Sequence, residues 1–186
     1  MPRAATLLLL VSTTSAFESW TCAGPAVGAH GARQGALSVG AFMVQDATAF
    51  EYIDTDETYT VAPGAVVTFE VAGLSSTDTF VGFMFDAASG SLAPASSNAE
   101  AYAACAPAVK NSGETAQSAA KADWTLPTTP GTYELTVYVL QDASAWWSST
   151  FSYRVAAGDD DEESGSSRRP VAAAIFGVGL ALWAMV

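Results

Sequence analysis

Apolar and polar residues alternate with a period of two along three segments of the chain. In GTYELTVYVLQD the apolar face consists of Tyr133, Leu135, Val137 and Val139. The same pattern recurs in STFSYRV, where the apolar face consists of Phe151, Tyr153 and Val155. It recurs again in GAVVTFEVAG, where the apolar face consists of Ala65, Val67, Phe69 and Val71. Successive side chains of a β-strand point to opposite faces, so this period is typical of strands with one buried face. The pattern predicts half-buried antiparallel strands.

The segment TFVGFMFDA differs, because it is apolar at consecutive positions. Such a run predicts a central strand covered on both faces, and Gly82 within it indicates a bulge or a close neighbour. Turn signals separate the strand candidates at Pro63-Gly64, Ala72-Gly73, Ser89-Gly90 and Pro130-Gly131. Strands at this spacing, without a long amphipathic helix, predict an all-β fold, an immunoglobulin-like antiparallel β-sandwich.

The stretch SGSLAPASSNAEAYAACAP is rich in Ala and Ser and has no clear periodicity. Two interpretations are open. The stretch is either a long loop or a loop that contains a short helix near Glu100–Ala104.

The N-terminus, MPRAATLLLLVSTTSAFES, is typical of a secretory signal peptide. A basic residue, Arg3, precedes an apolar stretch from Ala4 to Val11, and Thr14 and Ala16 supply the small side chains that a signal peptidase requires before its cleavage site. The stretch is too short to cross a bilayer. We therefore predict a signal peptide over residues 1–16 and a single domain over residues 17–157.

Acidic residues outnumber basic ones in the predicted domain. Residues 17–157 contain 14 Asp and Glu against Arg33, Lys110, Lys121 and Arg154, a net charge of −10. Binding to nucleic acid requires basic side chains that neutralise phosphates, so the composition argues against a nucleic-acid partner. A negative surface instead attracts cations or basic partners over a long range.

The C-terminus combines an acidic block with an apolar tail. Residues 158–169 include DDDEE, which predicts a solvated stalk or processing spacer, and residues 170–186 form the apolar tail. As a helix the tail would span about 25 Å, which is short of the ~30 Å hydrocarbon core. With the domain outside the cell, Arg168 and Arg169 would also lie outside, against the positive-inside tendency.

These features favour a glycosylphosphatidylinositol attachment signal, and a retained single transmembrane helix is the alternative. The candidate attachment residues are Gly158, which leaves the longer polar spacer, and Ser164, which begins a triplet of small residues. Both interpretations predict a protein on the extracellular face of the plasma membrane.

Cys22 and Cys105 both lie in the predicted exported domain. An even number of cysteines in an oxidising compartment favours a disulfide, with two buried free thiols as the alternative. His30 is the only histidine, and it supports neither a zinc site nor a catalytic triad, so we interpret it as a structural residue of a turn. We predict no catalytic residues, no cofactor, no bound metal and no enzyme activity.

Two further features are candidates for binding. Asp54, Asp56 and Glu57 form the densest acidic cluster of the domain, which predicts a solvated loop or, alternatively, a weak calcium site. Trp146 and Trp147 are adjacent, and adjacent residues of a strand point to opposite faces. We expect one of them in the core and the other exposed or covered by a loop, where an exposed Trp could anchor a protein or a glycan.

Six short motifs follow one another along the predicted domain. They are TCAGPAVGAHGARQG, YTVAPG, FVGFMFDA, AACAP, ADWTLP and GTYELTVYVLQDASAWW. In this order and spacing, from Thr21 to about Val155, the chain resembles a Reeler domain, the module found in reelin, spondins, insect defence proteins and ferric-chelate reductases. The resemblance implies an immunoglobulin-like β-sandwich, a disulfide between Cys22 and Cys105, and packing of Trp124 and the Trp146–Trp147 pair in or against the core.

The chain departs from the family pattern in two places. Gln117 stands where the family often has a histidine, and extra residues occur around DATAFEYIDTDET. The resemblance implies extracellular binding, so we expect a non-enzymatic cell-surface domain for recognition or adhesion, tethered at its C-terminus, with an unknown extracellular protein or glycan as partner. The alternatives are an accessory extracellular domain of a ferric-reductase-like redox system and a secreted innate-defence protein.

Overall fold

A computed structural model describes residues 20–26 and 29–157, and these residues form β-strands, turns and one short 3₁₀ turn, Leu37–Val39. The predicted all-β class is therefore confirmed for the described part of the chain. The predicted signal peptide over 1–16, the spacer over 158–169 with Gly158 and Ser164, and the apolar tail over 170–186 lie outside the described residues.

The larger sheet contains seven strands. Their bounds are β3 Arg33–Gly35, β6 Thr58–Val61, β8 Gly82–Ala87, β10 Ala99–Ala101, β11 Ala108–Asn111, β13 Gly131–Asp142 and β14 Ala145–Val155. The strand order is β10-β11-β8-β13-β14, and the outer edge of β14 pairs in parallel with β3 and with β6. As predicted for TFVGFMFDA, β8 is a central strand, and four of its six residues in succession are buried.

The smaller sheet contains five strands, with the bounds β4 Phe42–Asp46, β5 Glu51–Tyr52, β7 Val66–Gly73, β9 Ser91–Pro94 and β12 Ala119–Thr125. Their order in the sheet is β5-β4-β7-β12-β9. A separate two-stranded ribbon is formed by β1, Trp20–Thr21, and β2, Gly24–Pro25. All pairings within the five-stranded sheet are antiparallel.

The main core lies between the facing sides of the two sheets. Tyr153 of the larger sheet contacts Phe69 and Trp124 of the smaller one, with ring centroids 5.5 Å and 5.8 Å apart. Near the other end, Phe42 and Trp147 meet at 5.4 Å. The period-two faces predicted for β7, β13 and β14 are the faces that point into this core. The immunoglobulin-like connectivity stays a prediction.

The opposite face of the larger sheet has a second, smaller apolar cluster. Trp20 from the N-terminal ribbon covers Met84 and Leu140, which are fully buried, and its indole N–H donates to the Asn111 side chain at 3.2 Å. A Cβ atom on Gly82 would lie 3.2 Å from the Trp20 ring, which explains the glycine inside an otherwise apolar strand. The close neighbour predicted for Gly82 is therefore Trp20.

The Ala/Ser-rich stretch is neither a long loop nor a helix. It contains the two short strands β9 and β10, and β9 pairs with β12 while β10 pairs with β11. The prediction of a helix near Glu100–Ala104 is wrong, because Glu100 and Ala101 belong to β10. The sequence pattern could not reveal these strands, since both are largely exposed and each packs only one half-buried residue, Leu92 or Ala99, against the core.

Asp86 lies near the end of β8, and its carboxyl is partly buried in the larger sheet. Burial raises the pKa of the Asp86 carboxyl above its ordinary value of 3.8. The folded state therefore holds this proton more tightly than the unfolded state. The contribution of Asp86 to stability falls as the pH rises from the ordinary pKa of the unfolded chain to the raised pKa of the folded state. We expect Asp86→Asn to increase the urea midpoint at about pH 7 relative to the wild type, and the increase to vanish below about pH 4.

The matched control is Glu134→Gln, which removes the same charge from an exposed position on β13. It reports any general relief of charge repulsion in this acidic domain. A midpoint for Asp86→Asn at about pH 7 that equals that of Glu134→Gln would contradict the prediction.

Candidate functional site

A groove opens at the side of the molecule where β4 and β5 of the smaller sheet approach β6 and β14 of the larger one. Its volume is about 660 Å³. The floor is apolar and buried, and it consists of Leu37, Phe42, Val44, Ile53 and Phe151. The floor therefore belongs to the main core, reached from outside between the two sheets.

The groove exists because the edge of β14 is only partly covered by other strands. β3 pairs with Trp146 and Trp147, and β6 pairs with residues 152–155. Within the described residues no strand pairs with positions 148–151 on that edge. The 3₁₀ turn closes part of this gap, since the Leu37 N–H donates to the Ser149 hydroxyl at 3.1 Å.

Arg33 closes the other part of the gap with its side chain. Its guanidinium donates to the Ser148 hydroxyl at 2.7 Å and to the Ser148 carbonyl at 2.8 Å. The Ser148 carbonyl, at the end of the gap next to β3, is thus already engaged by a side chain.

The acidic loop forms one rim of the groove. Asp54, Asp56 and Glu57 all line it and are all exposed. Two hydrogen bonds fix the loop: the Asp54 N–H donates to the Tyr59 hydroxyl at 2.8 Å, and the Asp56 N–H donates to the Asp54 carboxylate at 2.9 Å. Tyr59 is in turn stacked on Tyr153, with ring centroids 5.4 Å apart.

The charged side chains that line the groove are all acidic. No Lys or Arg is among the described residues that line the groove. Two of the basic residues are engaged elsewhere, since Lys110 forms an ion pair with Glu100 and Lys121 forms one with Glu70 at 3.4 Å. Burial raises the pKa of the Tyr59 hydroxyl, and the nearby Glu57 carboxylate adds to the increase. The hydroxyl therefore stays protonated at neutral pH.

Apolar side chains complete the mouth of the groove. Tyr52 is 66% exposed and Leu74 is 55% exposed, although both are large and apolar. Half-buried Met43 lies between the floor and the mouth. Apolar surface therefore continues from the core to the outside of the molecule at this place.

Trp146 and Trp147 do not line this groove. Trp147 is 9% exposed and packs in the main core, so it has no surface for a partner. Trp146 is half-buried against Tyr138, and its indole N–H donates to the Gly31 carbonyl at 2.8 Å. One Trp thus fills the core and the other is partly covered by a loop, which is one of the two arrangements that the sequence left open.

His30 lies in that same loop, where it is 7% exposed. Burial lowers the pKa of its imidazole.

Among residues 20–26 and 29–157, no group of three or more His, Cys, Asp or Glu side chains is arranged to hold a metal ion, and the acidic loop is no exception. Across those residues, none of the helical structure has the length and apolar character needed for a membrane span.

The structure confirms the disulfide between Cys22 and Cys105, which are 83 positions apart in sequence. It joins the N-terminal ribbon to the turn that precedes β11. A hydrogen bond supports the same contact, since the Tyr102 hydroxyl donates to the Trp20 carbonyl at 2.7 Å. The ribbon is thus held over the second apolar cluster by covalent and polar contacts.

Sequence reasoning identified the acidic loop but missed the aromatic and apolar residues beside it. Tyr52, Tyr59 and Leu74 carry no chemical motif, and the groove forms only when the edges of two sheets meet. The one available signal was the segment FEYIDTDETYT, in which two tyrosines flank three acidic residues within a part that departs from the family pattern.

Together, the two facing sheets and the disulfide-bound ribbon define a disulfide-containing all-β domain with a side groove. Residues 38–163 match the family model of the Reeler domain, and the chain belongs to this family. The fold is similar to the crystal structure of the human F-spondin reeler domain, with a TM-score of 0.53 and 15% identity over 68% of this chain and 95% of that one.

A second structure, of the Reelin-N domain of F-spondin, is similar to the same degree. Its TM-score is 0.53 and its identity is 16%, over 69% of this chain and 94% of that one. At these identities the likeness extends to the fold alone. A comparison with curated proteins gave no significant match.

Proposed function

We propose that this protein is a non-enzymatic, extracellular recognition domain that is tethered to the cell surface through its C-terminus. The observation that carries the proposal is the groove, which combines an exposed apolar mouth with a fixed acidic rim. Concave apolar sites with a few placed polar groups are the usual form of binding sites. Membership of the Reeler family, which occurs in spondins, supports an extracellular location.

Two further observations support parts of the proposal. A disulfide suits an oxidising compartment and therefore a secreted domain. The single histidine is buried in a loop away from the groove, so it is poorly placed for acid–base chemistry on a bound substrate. The tether itself is supported by the sequence of residues 158–186.

The tether is tested by expressing the full chain in a eukaryotic cell and treating intact cells with phosphatidylinositol-specific phospholipase C. We expect antibody to reach the domain on unpermeabilised cells, and the lipase to release it from the surface into the aqueous phase. The matched variant replaces both candidate attachment residues, Gly158→Leu together with Ser164→Leu, and should no longer be released.

Other outcomes separate the alternatives. Retention in the detergent phase after treatment would replace the lipid anchor by a transmembrane helix. Accumulation in the medium without treatment would overturn the tether in favour of a secreted protein. A haem or flavin absorption band in the purified protein would overturn the proposal of a non-enzymatic domain in favour of a redox role.

A further inference from the structure

We propose that the groove binds a peptide segment of a partner protein in which an apolar side chain stands next to basic side chains. The apolar side chain enters the groove over Phe42 and Phe151, and the basic side chains pair with the acidic rim. The inference rests on the proposed function and specifies the ligand of that recognition domain.

The apolar part of the proposal follows from the floor and the mouth. A volume of about 660 Å³ falls in the range of sites that enclose a substantial part of a ligand. The floor is built from core side chains, and Tyr52 and Leu74 extend the apolar surface to solvent. Exposed apolar surface at a concave site is a marker of interaction sites. An apolar side chain bound here would bury part of this exposed apolar surface.

The basic part of the proposal follows from charge complementarity. The three carboxylates of Asp54, Asp56 and Glu57 lie on one rim, and none of the described lining residues carries a positive charge. A basic side chain entering from solvent therefore meets no competing cation within the site. The surrounding domain is also strongly acidic, which accelerates the approach of a basic segment.

The rim is organised before a ligand arrives. The Tyr59 hydroxyl holds the backbone of Asp54, and the Asp54 carboxylate holds the backbone of Asp56. Tyr59 is itself fixed by stacking on the buried Tyr153 ring. A ligand therefore does not have to order this loop on binding, which lowers the entropic cost of association.

Side-chain recognition is favoured over strand addition. Between β3 and β6, only positions 148–151 of the β14 edge lack a strand partner among the described residues, and the Ser148 carbonyl there already accepts from Arg33. A bound peptide consequently gains little from backbone pairing with β14. Its sequence should therefore matter, and both its basic and its apolar side chains should contribute.

The experiment uses the full chain purified in detergent and four fluorescein-labelled peptides of equal length. One peptide is basic and apolar (Gly-Arg-Phe-Arg-Leu-Gly). In the second peptide Gly replaces Phe and Leu, in the third Gln replaces Arg, and in the fourth Glu replaces Arg. Fluorescence anisotropy measures each affinity at about 50 mM and about 500 mM sodium chloride, because exposed ion pairs weaken with salt. We expect the first peptide to bind most tightly and to lose affinity at high salt.

Two groove variants and one control test the location. Asp56→Asn combined with Glu57→Gln should weaken binding of the first peptide roughly 3–10-fold. Leu74→Gln changes an exposed residue and should weaken it roughly 2–5-fold. The control, Glu114→Gln combined with Glu134→Gln, removes the same charge from exposed positions that do not line the groove, and should leave the affinity unchanged. Circular dichroism confirms that every variant is folded.

Three results would overturn the inference. The first is equal loss of affinity in the control and in the acidic-rim variant, which would show general charge attraction. The second is equal binding of the four peptides, or failure of all four to bind. The third is displacement of the first peptide by a neutral oligosaccharide that binds more tightly, which would assign the groove to a glycan. None of these results changes the outcome of lipase release, so failure of the groove and failure of the tether are distinguishable.

Discussion

Replacement of Trp124 by Ala is expected to lower the free energy of unfolding by about 3–5 kcal/mol. The Trp124 side chain is fully buried between the two sheets, where it contacts Phe69 and Tyr153. Its indole N–H also donates to the Ser89 carbonyl at 2.8 Å, and that acceptor would lose its partner. Because the domain has one main core, a cavity at this place weakens the contact between the sheets.

Urea unfolding followed by far-ultraviolet circular dichroism measures the effect. Trp124→Phe is the matched variant, since it keeps an aromatic ring in the core and removes the hydrogen bond together with part of the ring volume. We expect Trp124→Phe to lower the free energy of unfolding by about half as much as Trp124→Ala does. A change of less than about 1 kcal/mol for Trp124→Ala would show that the sheets do not pack around this ring.

Removal of the disulfide is expected to have an effect of similar size. The bond between Cys22 and Cys105 closes a loop with a sequence separation of 83, for which chain entropy predicts about 4–5 kcal/mol of stabilisation. The double variant Cys22→Ala with Cys105→Ala should therefore lower the urea midpoint strongly. It should also loosen the ribbon that carries Trp20 over Met84 and Leu140.

Two comparisons make this test specific. The wild type treated with a reductant should unfold at nearly the same midpoint as the double variant, whereas the double variant should not respond to reductant. Exposure of the second apolar cluster is followed by the accessibility of the Trp20 indole to a fluorescence quencher. An unchanged midpoint in the double variant would mean that Trp20 and Tyr102 alone hold the ribbon in place.

The sequence could predict those strands whose burial requires a regular pattern of apolar residues. The long strands β7, β13 and β14 each have one face in the core, so their apolar residues recur at every second position. β8 is covered on both faces, and Asp86 is its one charged residue. The short strands β9 and β10 are largely exposed, and each packs only one half-buried residue, Leu92 or Ala99, against the core, which is too few to form a recognisable pattern.

The candidate site was only partly predictable, because part of it depends on which strands meet in space. Acidic residues at Asp54, Asp56 and Glu57 are visible in sequence because charge is a property of each residue. Their position beside Tyr52 and Leu74 depends on which edges of the two sheets meet, and local pattern does not encode that. Adjacent tryptophans could be assigned to opposite faces, but the cover of the outer one depends on the contact of Trp146 with Tyr138 and on its hydrogen bond to the Gly31 carbonyl.

The side-chain cover along β14 also bears on contacts between two copies of this domain. An uncovered strand edge is a template on which another chain can add a strand, and this is a route to aggregation. Here the guanidinium of Arg33 occupies the Ser148 carbonyl, and the 3₁₀ turn takes up the Ser149 hydroxyl. Between β3 and β6 only positions 148–151 of this edge lack a strand partner within the described part of the chain, so the edge offers a second copy of the sheet a stretch of four residues on which to add a strand.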